Sequence, residues 1–259
     1  MAQTASLTPM FRQYRALKGD HPDAILLFRM GDFYEMFFED AKIASELLEL
    51  TLTARGKGTD NVAPMCGFPH HQLDGYTARL VRAGRRVAIC DQVEDPKTAK
   101  GLVRREVIRI VTPGTVTDPA QLESKDNAWV ASVAVVGGRP AAAFLDASTG
   151  EFLAWEPAAD EAAPWDALAD RLRAFTPREI VHAEDLNWTG GRPGSRALWT
   201  PIDPYAFSGE VALAQLRRQL GVASLDGFGL RDRLAASVAA GALLQYVQDT
   251  QRSGLEHVN

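Results

Sequence analysis

The chain has 259 residues, 46% hydrophobic and 24% charged, with a net charge of −5. That length gives one or two domains with a core in each, and so ordinary a composition excludes a disordered chain. No apolar run reaches membrane-spanning length, and the polar start Met1-Ala2-Gln3-Thr4 is not a signal peptide. Two cysteines, Cys66 and Cys90, with no Cys-x-x-Cys, argue against a disulfide framework or a structural zinc site and fit a cytoplasmic protein. The charge is uneven: residues 51–112 carry 11 basic and 6 acidic side chains. Such an excess suits a phosphate-binding face, and is also common on surfaces that bind nothing.

Thr8-Pro9 opens a first helix, a hydroxyl cap followed by proline at the first helical position, and Gly19 ends it. Ala24 to Met30 reads as a buried strand. Gly31-Asp32 is a turn signal, and Phe33 to Phe37 reads as a second short strand. Alternation puts Phe33, Glu35 and Phe37 on one face and Tyr34 and Met36 on the other. Two readings fit this aromatic-rich stretch. In one the aromatics are core and Glu35 is a solvated rim residue. In the other an aromatic at a turn, with a carboxylate beside it, can be pushed into another molecule. Glu39 to Leu50 then reads as a helix with Ile43, Ala44, Leu47 and Leu48 on one face.

Arg55 to Asp60 reads as a loop whose Arg55 and Lys57 are either a solvated turn or a flexible phosphate contact. Its Gly-Lys-Gly-Thr is not a phosphate-binding P-loop, and nothing else in the chain meets that pattern. Pro64 to His71 is a proline- and glycine-rich loop. Its adjacent His70 and His71 diverge on most backbones and have no partner cluster, which suits capping or phosphate contact better than a metal. A helix over Gln72 to Ala83 and strands over Val87 to Gln92 and Val107 to Val111 follow. If the last strand starts by Arg105, then Arg105, Val107, Arg109 and Val111 share a face. With Arg104 nearby, that face is solvated or contacts phosphate.

Residues 116–127, rich in Thr, Asp, Pro, Gln and Ser, read as a linker. Strands over Trp129 to Val136, Ala141 to Asp146 and Glu151 to Trp155 follow, joined by Gly137-Gly138 and Ser148-Thr149-Gly150 turns. A helix near Trp165 to Phe175, a strand Glu179 to His182 and a helix near Gly209 to Leu220 come next. This is the ribonuclease-H-like order. A last helix from about Leu230 places Leu230, Leu234, Val238, Ala242 and Tyr246 on one face and ends near Gly254.

Arg29-Met30-Gly31-Asp32-Phe33-Tyr34-Glu35-Met36-Phe37 resembles the signature of the N-terminal domain of the MutS family of DNA mismatch-recognition proteins. Leu50 to Thr53, Pro64 to His71, Val87 to Gln92, Arg109 to Thr115, Leu244 to Tyr246 and Asp249 to Arg252 resemble it in the same order. Asp91 departs from the Glu usual before Gln92, and Cys66 from a common Ala. The resemblance implies an α/β chain of two domains: a mixed-sheet mismatch-recognition domain over 1–115 and, after the linker, a ribonuclease-H-like connector over 128–246. Residues 247–259 would be the truncated start of a lever region. It implies that Phe33 is a wedge stacking on a displaced base and that Glu35 hydrogen-bonds that base. Arg55, Lys57, His70, His71, Arg104, Arg105 and Arg109 are the backbone-contact candidates. The implied partners are mismatched duplex DNA and, through the connector, MutL; the parent is a homodimer and this piece is expected to be monomeric. ATP and Mg belong to the parent's ATPase domain, so no catalytic residue, metal or cofactor is expected here.

Two other functions compete. A ribonuclease-H-like domain raises a metal-dependent nuclease around Asp146, with Glu151, Glu179 and Asp185 as further acids. Asp146, however, precedes a turn, where Asp commonly serves local hydrogen bonds. The other competitor is a protein-docking piece with weak non-specific DNA binding.

Overall fold

The structure, a computed structural model, describes residues 8–56, 62–94, 101–115, 128–189 and 196–250. They form two compact units, Met1–Thr112 and Pro113–Asn259.

In the first unit, α1 (Pro9–Asp20) is followed by β1 (Ala24–Met30), β2 (Phe33–Phe37), α2 (Phe38–Leu48), β3 (Thr53–Arg55), β4 (Ala63–Pro69), α3 (Leu73–Arg82), β5 (Arg86–Gln92) and β6 (Arg105–Val111). The sheet order is β3-β4-β2-β1-β5-β6, antiparallel except for the β1–β5 pair. Thr8 caps α1 as its residue type demands, its hydroxyl accepting from the Phe11 N–H. Leu26, Phe28 and Phe37 face α1, where Phe11 and Tyr14 pack edge-on against Phe37. On the opposite face, Met36 and Cys66 are paired and the Cys66 thiol donates to the Ala41 carbonyl of α2. There too Phe68 stacks on Tyr76 of α3.

Asp40 fastens this unit. The β1–β2 pairing stops at Phe28↔Glu35, short of Leu26, whose N–H donates instead to Asp40 Oδ2 at 3.0 Å. The buried carboxylate also accepts from Tyr14 Oη at 3.1 Å and Lys18 Nζ at 2.8 Å. Burial and the Asp40 charge push the Tyr14 hydroxyl above its ordinary range, so it remains a donor.

The Pro64–His71 stretch is not a loop: β4 pairs with β2 from Phe33↔Pro69 to Phe37↔Met65, and β3 pairs along β4. The face expected of β6 is also corrected. Cys90 pairs with Val107 but Ile89 with Arg109, so Ile108 is an extra, bulged residue. The bulge turns Arg105 and Arg109 to opposite faces.

The second unit contains β7 (Trp129–Val136), β8 (Arg139–Asp146), β9 (Phe152–Trp155), α4 (Pro164–Phe175), β10 (Glu179–Ala183), β11 (Leu198–Ile202), α5 (Gly209–Leu220) and α6 (Leu234–Thr250). Its order, β11-β10-β7-β8-β9, has β7 parallel to β10 and antiparallel to β8, the ribonuclease-H-like arrangement. Trp129, Ala131 and Val133 of β7 face α4, while Val130, Ser132 and Ala134 face α5 and α6. The last helix begins at Leu234, not Leu230, and is buried on every side from Ala235 to Leu244. Runs of alanine on β8 and α6 allow that close approach. At Gly241 an added Cβ would collide with the Ala212 backbone of α5. Because α6 runs through Tyr246, a division at 246 falls inside a helix. Pro113–Thr115 belong with this unit, where the Gly114 N–H donates to Glu179 Oε2 at 3.2 Å.

Asp40→Ala leaves the Leu26 N–H and the Tyr14 hydroxyl without their acceptor. It is expected to destabilise the first unit by about 2–4 kcal/mol, read from urea unfolding followed by the tyrosine signal.

Candidate nucleic-acid interface

Gly31 has φ +59° and Met30 pairs with Phe33, so Gly31-Asp32 forms a two-residue hairpin turn with a left-handed first residue. That is the II′ pattern, which favours glycine there and matches the twist of the strands. The turn is braced from β4's end: the His70 N–H donates to the Asp32 carbonyl at 2.8 Å, and the His70 ring Nδ1 lies 3.1 Å from the same oxygen.

Within β2, alternation sorts the side chains. Tyr34 and Met36 are buried beneath α2 and α3. On the other face Phe37 lies under α1, Glu35 is half-buried and Phe33, beside the turn, is 47% exposed. The aromatics nearby are committed inward, so Phe33 is the ring of this stretch that the fold leaves outside. Tyr34 secures the hairpin from behind: its hydroxyl donates to Asp91 at 2.9 Å and the Arg29 guanidinium lies over its ring. Burial, then Asp91, raises the Tyr34 hydroxyl to about 12.

Glu35 sits between Phe28 of β1 and Gly67 of β4. A Cβ on Gly67 would stand 2.9 Å from the Tyr34 carbonyl and 3.4 Å from Glu35 Cγ, so glycine leaves the Glu35 side chain its place. Arg55, at the end of β3, donates from Nη1 to Glu35 Oε2 at 2.6 Å. Burial pushes the Glu35 carboxyl above the usual range, and the Arg55 and Arg105 charges pull it back part of the way. A raised folded-state value means that the fold favours the protonated acid. The stabilisation it brings is present in acid and lost as pH rises through that value.

The remaining candidates are dispersed. Arg105 is buried, its guanidinium donating to the Arg29 and Val103 carbonyls and to Gln13 while lying over Phe28. It is therefore a structural cation, corrected from the expected outward face. Arg104 is exposed and paired with Glu106. Arg109, on the face opposite Arg105, lies 4.0 Å from Asp74. His71 is exposed beside His70. Lys57 lies outside the described residues, as do the 116–127 linker and residues 251–259. The Glu35–Arg55 pair is not legible along the chain, because Arg55 reads as the start of a loop, Pro64 to His71 reads as another, and the partners are 20 residues apart.

In the second unit Asp146 and Glu179 serve local structure. Asp146 Oδ1 accepts from the Ser148 N–H and hydroxyl. Glu179 Oε1 accepts from Thr200 and Tyr246 hydroxyls, each at 2.6 Å. Glu151 and Asp185 are exposed. Among the described residues no group of three or more His, Cys, Asp and Glu side chains is placed to hold a metal ion, and no helix is long and apolar enough to cross a membrane.

These features define a two-unit α/β protein whose first unit displays one aromatic and one carboxylate side by side on a braced hairpin. The profile for MutS domain I matches residues 8–120, and that for MutS domain II matches residues 128–259. The chain thus belongs to the MutS family of DNA mismatch-repair proteins, of which it carries domains I and II. It is 46% identical over 254 residues to the DNA mismatch repair protein MutS of Solibacter usitatus, and 49% identical over 255 residues to that of Anaeromyxobacter dehalogenans strain 2CP-C. Each alignment covers 97% of this chain and 28% of the relative's length.

Gly67→Ala is expected to cost about 1–3 kcal/mol, because the backbone carbonyl it meets cannot give way. Urea unfolding reads the loss, and faster amide exchange along the β2–β4 pair would locate it.

Proposed function

We propose that the first unit recognises mispaired or unpaired bases in duplex DNA, with Phe33 entering the minor groove and Glu35 hydrogen-bonding the displaced base. The observation that carries this reading is the exposed Phe33 beside half-buried Glu35 on a hairpin held from both sides. The family relationship and the names of the relatives support it.

A defective base pair stacks poorly, so a kink there costs less than at a matched pair. An apolar wedge opening one step costs about a few kcal/mol, and the defect lowers that cost. Discrimination then comes from deformability as well as contact. Phe33 stacks where the neighbour base was. Glu35 accepts a base N–H when ionised, or donates to a ring nitrogen when protonated. Its raised protonation range brings the second option closer to neutral pH. On matched DNA no base is offered, and an ionised carboxylate near phosphates is repelled.

Arg104, Arg109, Lys57 and the two histidines are the proposed backbone contacts in this reading, with Arg55 treated below. The second unit serves as a connector that contributes to docking MutL, and dimerisation and nucleotide hydrolysis belong to the longer parent. This chain itself acts by binding, in the cytoplasm, without a cofactor of its own.

Fluorescence anisotropy at low salt, with matched duplex and duplex carrying one unpaired thymine, tests the reading. Preference for the defect is expected, and Phe33→Ala should weaken defect binding by about 10–100-fold, the worth of one base–aromatic stack. Equal binding to both duplexes, untouched by the substitution, would leave only a weak phosphate-binding surface.

A further inference from the structure

We propose that Arg55 is a specificity-determining residue of this site: it is the internal counter-ion that holds Glu35 against the sheet, and a base group competes with it for the carboxylate. The inference rests on the reading of Phe33 and Glu35 above.

Arg55 closes a three-residue edge strand, paired Thr53↔Met65, Ala54↔Pro64 and Arg55↔Ala63. That pairing brings its guanidinium to 2.6 Å from one oxygen of Glu35. The Glu35 side chain is 17% exposed and that of Arg55 39%. A carboxylate so enclosed is stable as an anion only with a cation beside it. Among the described residues, the charged groups acting on Glu35 are Arg55 from β3 and Arg105 from β6; its strand neighbours Phe28 and Gly67 carry none. The two cations differ in freedom. Arg105 is buried and tied to the Arg29 and Val103 carbonyls and Gln13, whereas Arg55 stands half-exposed at the sheet edge. Of these two, Arg55 is therefore the cation able to trade Glu35 for an incoming phosphate.

The trade separates the two kinds of DNA. When Arg55 turns to a phosphate, Glu35 loses its partner. At a defect the displaced base replaces that partner. At a matched pair nothing does, and an unpaired half-buried carboxylate faces the duplex. The penalty for matched DNA thus exists because Arg55 kept Glu35 charged beforehand. Without Arg55, burial dominates and Glu35 keeps a proton to higher pH. A neutral side chain no longer repels matched DNA.

The test uses the full chain, its Arg55→Gln variant and Arg55→Lys. The Glu35 carboxyl is titrated by carbon NMR without DNA, and affinities for matched and unpaired-thymine duplexes are measured from about pH 6 to about pH 8.5. Arg55→Gln should move the Glu35 titration to higher pH and narrow the ratio of defect to matched affinity by about tenfold at neutral pH, the scale of one relieved charge repulsion. The phosphate contact is lost on both duplexes, so defect affinity falls while matched affinity falls less or rises. Arg55→Lys, which retains the charge and the strand but not the planar fork, should shift both readouts in the same direction by less, and serves if glutamine weakens the fold. An unchanged Glu35 titration overturns the inference. So do equal losses on both duplexes with a salt slope shallower by about one, which would make Arg55 a phosphate contact alone. If the unsubstituted chain shows no preference at any pH, the functional reading falls and this inference with it. If the chain prefers the defect and Arg55→Gln keeps that preference with the same pH profile, this inference falls alone.

Discussion

The Asp40 carboxylate holds the first unit together at the point where its sheet runs out of strand. It takes the Leu26 N–H that β2 no longer reaches, the Tyr14 hydroxyl from α1 and the Lys18 ammonium. Without an acceptor there, the early end of the β1–β2 pairing would leave a buried donor unpaired beside the aromatic core. With it, α1 is fixed over the Phe37 end of the β1–β2 face and leaves the Phe33 end uncovered. The display of Phe33 and the part-burial of Glu35 are two results of that one placement.

Charge on that face follows the same logic. Arg105 lies over Phe28 and donates to two main-chain carbonyls and to Gln13, and Arg55 reaches Glu35 from the edge strand. Glu35 is thereby neither a solvated rim residue nor a free anion. It is an acid whose state depends on what stands opposite, which suits the role proposed for it, telling an offered base from none. The second unit uses its buried acid differently. Glu179 joins β10 to Thr200 of β11, Tyr246 of α6 and the Gly114 N–H, a fully occupied structural node.

Much of this was legible along the chain. The Gly31-Asp32 turn, the β2 alternation and the Thr8 cap are local signals, and local physics decided them. The three antiparallel strands of the second unit stood out because glycine-rich turns separate them. What escaped notice was set by distant partners. β4 holds Pro64, Gly67 and Pro69, which read as a loop, yet pairing with β2 makes it a strand. Pro201 hid β11 in the same way, although proline is tolerated on an edge strand. The bulge at Ile108 overturned the alternation that had put Arg105 and Arg109 together. For the site, Phe33 and Glu35 could be singled out as a pair, but the Arg55 partnership needed β3 and β4 to be strands first.

In the proposed recognition Phe33 leaves the protein surface and enters the base stack. The most direct measurement places 2-aminopurine, whose fluorescence is quenched by stacking, next to an unpaired thymine, and compares saturating amounts of the chain and of Phe33→Ala. A rise in emission is expected with the unsubstituted chain, absent with Phe33→Ala and absent on a matched duplex. An equal rise with both proteins, or none with the unsubstituted chain at saturation, would contradict it.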